Sequence, residues 1–439
     1  MDDLRLFPTC LALGALLLAG ACTDDGSSDD GDNSPEFAEA HSDAKHDEAP
    51  SIDANEAETL AADDHALTLD LYHELRAGQA ADEGFSISAY SIHSAFGMLY
   101  AGAVEPARSE MATTLHFSLA GERQYVAHNW LDAQLDERNL PAVTGDEGEQ
   151  AAVELHSANG VWVLDQLADR ISPDYLDLLA IHYDAGVYLA QFDTQPEVER
   201  AAINAWVSAR TADLIPELFP AGTIEPLTRL VLVNAVYLKA PWADPFVEEL
   251  TAPAPFYGLD GTESTVDMMH AGDLSADYGE GPGYQAVALP MRGDALELLV
   301  ILPDDFGAFE ADLDAAMLTN LRDEMSPTIV DLHLPKFELE AQFELTGELQ
   351  ELGMVAPFFD SHSFDAILPE LGVITAVVHQ TVIKVDEKGT EAAAATGIVV
   401  GETGIPEPGA EMIVDRPFLL AIRDAPTDTL LFFGRVLAP

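Results

Sequence analysis

An apolar run, Val377 to Val385, leads straight into a row of small residues, and together they leave few choices for the fold. The run reads as a strand. Glu387-Lys388-Gly389-Thr390-Glu391 follows, then Ala392 to Ala395 and Thr396-Gly397. A Gly/Pro/Glu segment comes next, and a second strand-like run begins near Met412. Four alanines after a glutamate fit a helical turn. They also fit a strand held in reserve. Every second residue from Thr390, namely Ala392, Ala394, Thr396, Ile398 and Val400, makes a face that is small first and apolar later. A strand entering the middle of a sheet needs one packable face and small residues where it first squeezes in. Gly389 supplies a backbone pivot. No charge falls on that face before Glu402.

Other runs supply neighbours for such a strand. Leu230 to Leu238 is apolar apart from Asn234, which suits a strand covered on both faces. A buried amide there must be hydrogen-bonded, or it costs on the order of a few kcal/mol. Residues 153–163 read as a strand, 284–303 as two strands across a turn at Gly293-Asp294, and 329–340 as another strand. The C-terminal residues read as a hairpin. Leu67, Leu71 and Leu75 recur every four residues, so Asp63 to Gly78 is expected as an amphipathic helix. The stretch FSISAYSIHSAFGMLYAGA gives a strand, a serine-rich turn and an apolar helix, with Ser88 and Ser91 placed to cap it. Further helices are expected within 201–219 and 342–354. No internal repeat and no second domain is evident.

Charge narrows the partners. Lys and Arg number 19 against 78 Asp and Glu, a formal net charge of −59. A field of that sign repels nucleic acid and anionic membrane surfaces. Both cysteines, Cys10 and Cys22, lie in the leader, so the folded body has no disulfide and no Cys/His zinc site. Histidines such as His73, His93, His128 and His333 are scattered and read as surface or core residues. No G-x-S-x-G, HExxH or phosphate loop occurs, so the chain is not expected to be an enzyme, and no cofactor is expected.

Residues 6–21 are apolar, too short for a comfortable membrane span and suited to a secretory signal. Ala19-Gly20-Ala21-Cys22 resembles a lipoprotein signal in which Cys22 becomes the lipidated first residue. Ala19 stands where Leu or Val is usual, and MDDLR is acidic; ordinary cleavage near Ala21 would leave Cys22 a free thiol. Three segments are expected: 1–21 a signal peptide, 22–62 an acidic disordered tether, and 63–439 one folded domain.

The stretch E-K-G-T-E-A-A-A-A-T resembles the hinge and reactive-centre loop of the serpins. Further similarity lies in Ser88-Ala89-Tyr90-Ser91, in Asn234 with His379, in Trp242, in L-P-K-F and in Arg416-Pro417-Phe418. Ala89 stands where the family has proline, which leaves helix entry less fixed. The resemblance runs from about residue 64 to the C-terminus. It implies an α+β fold with a large central, mostly antiparallel sheet, two further sheets, about eight or nine helices and an exposed reactive-centre loop. It implies a suicide-substrate inhibitor of serine or cysteine peptidases, held with its target in a covalent acyl complex.

By that resemblance Glu387, Gly389, Thr390, Ala392, Ala394 and Thr396 form the hinge. Ser88, Ser91, Asn234 and His379 form the shutter, and Trp242 marks the breach, where the loop enters the sheet. The Asn234–His379 pair also reads simply as a satisfied polar core pair; the two roles overlap. The family's loop spacing, counted from Glu387, puts the scissile bond at Thr403-Gly404, with Val400, Glu402 and Ile405 within a shift of register. Threonine or valine fits a small apolar pocket, so elastase-like or subtilisin-like peptidases are the expected targets. The alternative is a non-inhibitory serpin acting as a binding, carrier or chaperone-like protein, but the hinge lacks the bulky or charged inward residues typical of those. Glycosaminoglycan activation is not expected from the resemblance, because residues 105–150 offer only Arg108, Arg123 and Arg138 among many acids. The protein is expected to be an exported monomer, either secreted or held to a bacterial envelope through lipid on Cys22.

Overall fold

The strand expected at Leu230–Leu238 is real, and it lies deep inside a seven-stranded sheet. The computed structural model describes residues 37–145, 148–390 and 408–439. Numbered in chain order, the strands begin with β1 (Ala38–Ala40), β2 (Phe85–Ile87), β3 (Val143–Gly145), β4 (Gly148–Gln150), β5 (Glu154–Leu164) and β6 (Val187–Ala190). They continue with β7 (Leu230–Pro241), β8 (Ala252–Tyr257), β9 (Glu263–Gly281), β10 (Tyr284–Pro290), β11 (Leu296–Pro303) and β12 (Ser326–Pro335). The last are β13 (Phe337–Glu344), β14 (Val378–Asp386), β15 (Gly389–Thr390), β16 (Ala410–Ile413), β17 (Phe418–Asp424) and β18 (Thr429–Val436). The helices are α1 (Ala54–Ala77), α2 (Ala89–Ala101), α3 (Ala107–Thr114), α4 (Arg123–Asp136), α5 (Pro173–Tyr183) and α6 (Pro196–Arg210). Four short ones complete the set: α7 (Phe306–Asp312), α8 (Ala315–Asp323), α9 (Thr346–Glu351) and α10 (Ala356–Phe359). Ten α-helices are thus assigned among the described residues, and the last is a single turn.

The central sheet has the order β1-β6-β5-β7-β15-β14-β13. Two further sheets accompany it: a nine-stranded one, ordered β16-β12-β9-β10-β11-β17-β18-β2 with β8 on β9, and the β3–β4 hairpin. Ladder pairing is antiparallel except for β5–β6 and β12–β16. Burial follows from position. β7 is buried at all but one residue, while β13, the edge strand, alternates buried and exposed. α2 is buried on all sides from Ala89 to Tyr100, as its apolar sequence requires. Ser88 caps it, its Oγ accepting from the Ser91 N–H at 3.2 Å.

The expected disordered tether is corrected over residues 37–62. α1 starts at Ala54, nine residues ahead of the Asp63 at which the leucine period places it. Its first turns hold few large apolar residues but are rich in Ala and Glu, and they begin with a capping box between Asp53 and Glu56. Upstream, β1 adds to the edge of the central sheet beside β6. Phe37 sets its ring edge-on to Trp162, centroids 5.6 Å apart. The Asp47 N–H donates to the Ile181 carbonyl at 3.0 Å, and Asn129 Nδ2 donates to the Asp47 carbonyl at 2.9 Å. Residues 37–53 are therefore a strap over β6, α5 and α4. A chain beginning at Ser51 keeps the α1 cap and loses the strap. It is expected to melt a few degrees lower, for a loss of about 2 kcal/mol of aromatic and edge-strand contacts. The bared edge of β6 is expected to promote self-association. Equal melting curves and equal monomer fractions for the two chains would show the strap to be passive.

Candidate functional site

The site is the gap between β7 and β14. The chain leaves β14, turns at Glu387-Lys388 and re-enters the sheet as β15. There Gly389 pairs with Asp386 and Pro241, and Thr390 with Val385 and Ala240. Because β15 is antiparallel to both neighbours, β7 and β14 run parallel to each other. Among the described residues, backbone ladders connect them only through these two residues.

Each residue of this turn has a physical reason to be what it is. Gly389 has φ +147, and a Cβ on it would lie 2.3 Å from the Ala240 carbonyl oxygen. No side chain fits that approach. Thr390 is 2% exposed, and its Oγ1 accepts from the Ala240 N–H at 3.1 Å. Glu387 is buried beside Lys336, with Nζ at 2.8 Å, and accepts from the Thr251 hydroxyl at 2.7 Å. Burial alone would raise its pKa, but the ammonium and hydroxyl outweigh it and hold the carboxyl below its ordinary value. Trp242 closes the top: its Nε1–H donates to the Asp386 carbonyl and its backbone N–H to the Lys388 carbonyl, both at 2.9 Å. The turn is thus tied to β7 by an indole and to the start of β13 by an ion pair. Beside Thr390 lies a small cavity lined by Leu214, Leu238, Val382, Ile383, Lys384, Ile422 and Phe432.

Lower in the gap, a buried polar network takes over from the backbone. The Ser88 N–H donates to His379 Nε2 at 3.1 Å, so that nitrogen carries no proton. The proton is on Nδ1, which faces Asn234 Oδ1 at 3.4 Å. Asn234 Nδ2 donates to the Ser91 carbonyl and, at 2.7 Å, to Asn159 Oδ1. One chain of bonds therefore joins α2, β5, β7 and β14 at the level where β7 and β14 lack a ladder. Burial lowers the pKa of His379 to about 4, so the ring is neutral at physiological pH.

The sequence-derived assignments can now be placed. Ser88, Asn234 and His379 meet in one hydrogen-bonded network. Ser91 belongs to the network through its backbone; its buried hydroxyl has no hydrogen-bond partner among the described residues. Glu387, Gly389, Thr390 and Trp242 converge at the top of the gap. Ala392, Ala394, Thr396, Val400, Glu402, Thr403, Gly404, Ile405 and Cys22 lie outside the described residues. Sequence reasoning missed four contributors. Lys336 sits within the quoted L-P-K-F but had no visible partner, and Thr251 carried no signal. Ser86 and Thr381 are polar positions in apolar runs; the Thr381 hydroxyl donates to the Ser86 carbonyl at 2.9 Å and so ties β14 to β2.

A family model described as "Serpin (serine protease inhibitor)" matches residues 62–439. The chain belongs to the serpin family. An uncharacterized serpin-like protein of Methanosarcina mazei is 32% identical to it, over 87% of each chain. The leukocyte elastase inhibitor of Bos taurus is 32% identical, covering 87% of this serpin and 100% of that protein. The crystal structure of uncleaved ovalbumin superposes with a TM-score of 0.75 at 25% identity, covering 86% of this chain and 99% of that one. Serpins are in general protease inhibitors rather than catalysts. No helix among the described residues of this serpin is long and apolar enough to cross a membrane.

Proposed function

We propose that this serpin is a suicide-substrate inhibitor of serine peptidases, cut at Thr403-Gly404 and acting by insertion of its loop between β7 and β14. The observation that carries this reading is the seat already taken by Thr390. Continuing the two registers of β15 by two residues sets Ala392 between Leu238 and Ile383, beside the cavity. Two more set Ala394 between Val236 and Thr381, and two more set Thr396 between Asn234 and His379. Only small side chains enter such a gap without first forcing the strands far apart. Each inserted residue exchanges water for ladder bonds on both sides, each net bond contributing about 1 kcal/mol.

The peptidase serine attacks the Thr403 carbonyl carbon, and the bond to the Gly404 nitrogen breaks. The new amine takes its proton from the peptidase's own general acid, and Thr403 stays esterified to the serine. Insertion then outruns hydrolysis of that ester and holds the target covalently. A small apolar pocket, elastase-like or subtilisin-like, suits Thr403, and the name of the bovine relative points the same way. Export, with lipid on Cys22 or free secretion, is part of the same reading, supported by the apolar run 6–21.

The test is incubation with an elastase-like peptidase. An SDS-stable complex is expected, with a released C-terminal peptide that begins at Gly404, and the nicked inhibitor is expected to melt far above the intact one. Cleavage with neither a complex nor a rise in melting temperature would leave a substrate or carrier.

A further inference from the structure

On the nine-stranded sheet, three nitrogen and oxygen donors meet on a half-exposed surface. His270 of β9 and His333 of β12 are directly paired across the ladder, their rings stacked with centroids 4.2 Å apart and planes within 11°. Asp331 precedes His333 by two residues, so it shares that face of β12. Its Oδ1 lies 2.8 Å from His270 Nε2 and 3.6 Å from His333 Nε2. One ligand atom from each of the three side chains falls within 4.8 Å of the others.

The local backbone keeps this face open. The ladder steps from Leu332↔Ala271 to Val330↔Leu274, so Gly272 and Asp273 stand opposite Asp331 alone. That is a β-bulge. A Cβ on Gly272 would lie 3.7 Å from His270 Nε2, so the glycine leaves the approach to that nitrogen free. From the other side, Glu411 of β16 is in register with Asp331 and adds its negative charge near His333.

Proton chemistry alone leaves this cluster half used. His270 and Asp331 make one hydrogen bond, while His333 aims a second Nε2 at the same oxygen from beyond hydrogen-bond distance. Protonating both stacked rings would set two like charges face to face. A divalent cation satisfies both imidazoles and the carboxylate together.

We infer that His270, His333 and Asp331 form a binding site for a zinc-class divalent transition-metal ion, with Glu411 adding negative charge nearby. Two imidazoles and a carboxylate are a borderline donor set suited to zinc, at bond lengths of about 2.0–2.2 Å. The ion would bridge β9 and β12. β16 pairs with β12 at Asp331, so occupancy, by fixing Asp331, steadies the ladder that holds β16. The inference does not depend on the inhibitory mechanism.

Zinc alone, added to the full chain after removal of metals by chelator, is the probe. Calorimetry is expected to show one tight equivalent that calcium at the same concentration does not displace. His270→Gln and His333→Gln retain size and polarity, and each is expected to weaken zinc binding at least tenfold. Amide hydrogen exchange at residues 410–413 is expected to slow about tenfold with zinc in the parent chain and to be unchanged in either variant. The cobalt(II) form of the parent chain is expected to show two paramagnetically shifted imidazole N–H resonances, a result that needs no variant. The site is overturned by zinc affinity that survives both substitutions, by calcium binding of equal strength, or by a cobalt form without shifted imidazole protons.

Discussion

On the proposed mechanism, Thr390→Arg is expected to replace trapping of the peptidase by plain cleavage of the loop. Thr390 is seated between Val385 and Ala240 with 2% of its surface exposed, beside a cavity whose one charged lining residue is Lys384. Among the described residues that line the cavity a guanidinium meets no carboxylate, and Lys384 adds a like charge. Burying it unpaired costs several kcal/mol, so the turn lifts out of the sheet and the first step of insertion acquires that barrier. Insertion competes with hydrolysis of the acyl ester, and each 1.4 kcal/mol added to one barrier changes the partition about tenfold. The fraction of peptidase trapped as an SDS-stable complex is therefore expected to fall by more than a hundredfold. The rate of loop cleavage should stay near that of the parent. Thr390→Ser, which retains the hydroxyl that accepts from the Ala240 N–H, is expected to inhibit normally. Undiminished trapping by the arginine variant would mean that the loop does not enter the sheet at this point.

Residues that declare themselves through local pattern were legible in the sequence; those that depend on a distant partner were not. The apolar run of β7 and the all-round apolarity of α2 could belong only to buried elements, and both are buried. Asn234 stood out as a polar residue in such a run, and Gly389 as a pivot beside small residues. The strap was hidden because Phe37 is a single large apolar residue in an acidic stretch, and its meaning lies in Trp162 and Tyr188, more than a hundred residues away. Lys336 could not be matched with Glu387 before the turn after β14 was known to fold back on β13. His270 and His333 are scattered in sequence and become one cluster only through the β9–β12 register, with a bulge that no spacing rule reveals. Hydrophobic period fixes which elements exist and which face is buried; long-range register decides which polar groups meet.

Acid is expected to open the gap, and His379 is expected to carry the effect. In the closed sheet its Nε2 accepts from the Ser88 N–H and its Nδ1–H faces Asn234. A second proton on the ring would set two donors against each other at Nε2. Burial adds to this, and the closed-state pKa falls to about 4. An opened, hydrated ring titrates near its ordinary value of about 6.5. The open state therefore binds the proton more readily, so the closed state loses relative stability as pH falls below about 6.5. The loss amounts to about 1.4 kcal/mol per pH unit and stops growing near pH 4, where the closed form also protonates. At about pH 5 it reaches roughly 2 kcal/mol, a factor of about thirty in the opening equilibrium. A synthetic peptide with the sequence of residues 390–400 offers a readout, since its annealing rate follows the opened fraction when capture is slow. His379→Gln supplies a carbonyl for the Ser88 N–H and an amide donor for Asn234, with no titration. The parent is expected to anneal about twenty times faster at pH 5 than at pH 7, and the glutamine variant is expected to show little change. Other groups bias global unfolding: burial lowers His93 and His128 and raises Asp64 and Asp132. They remain in the variant, so a pH dependence that persists there would move the switch from His379 to one of them.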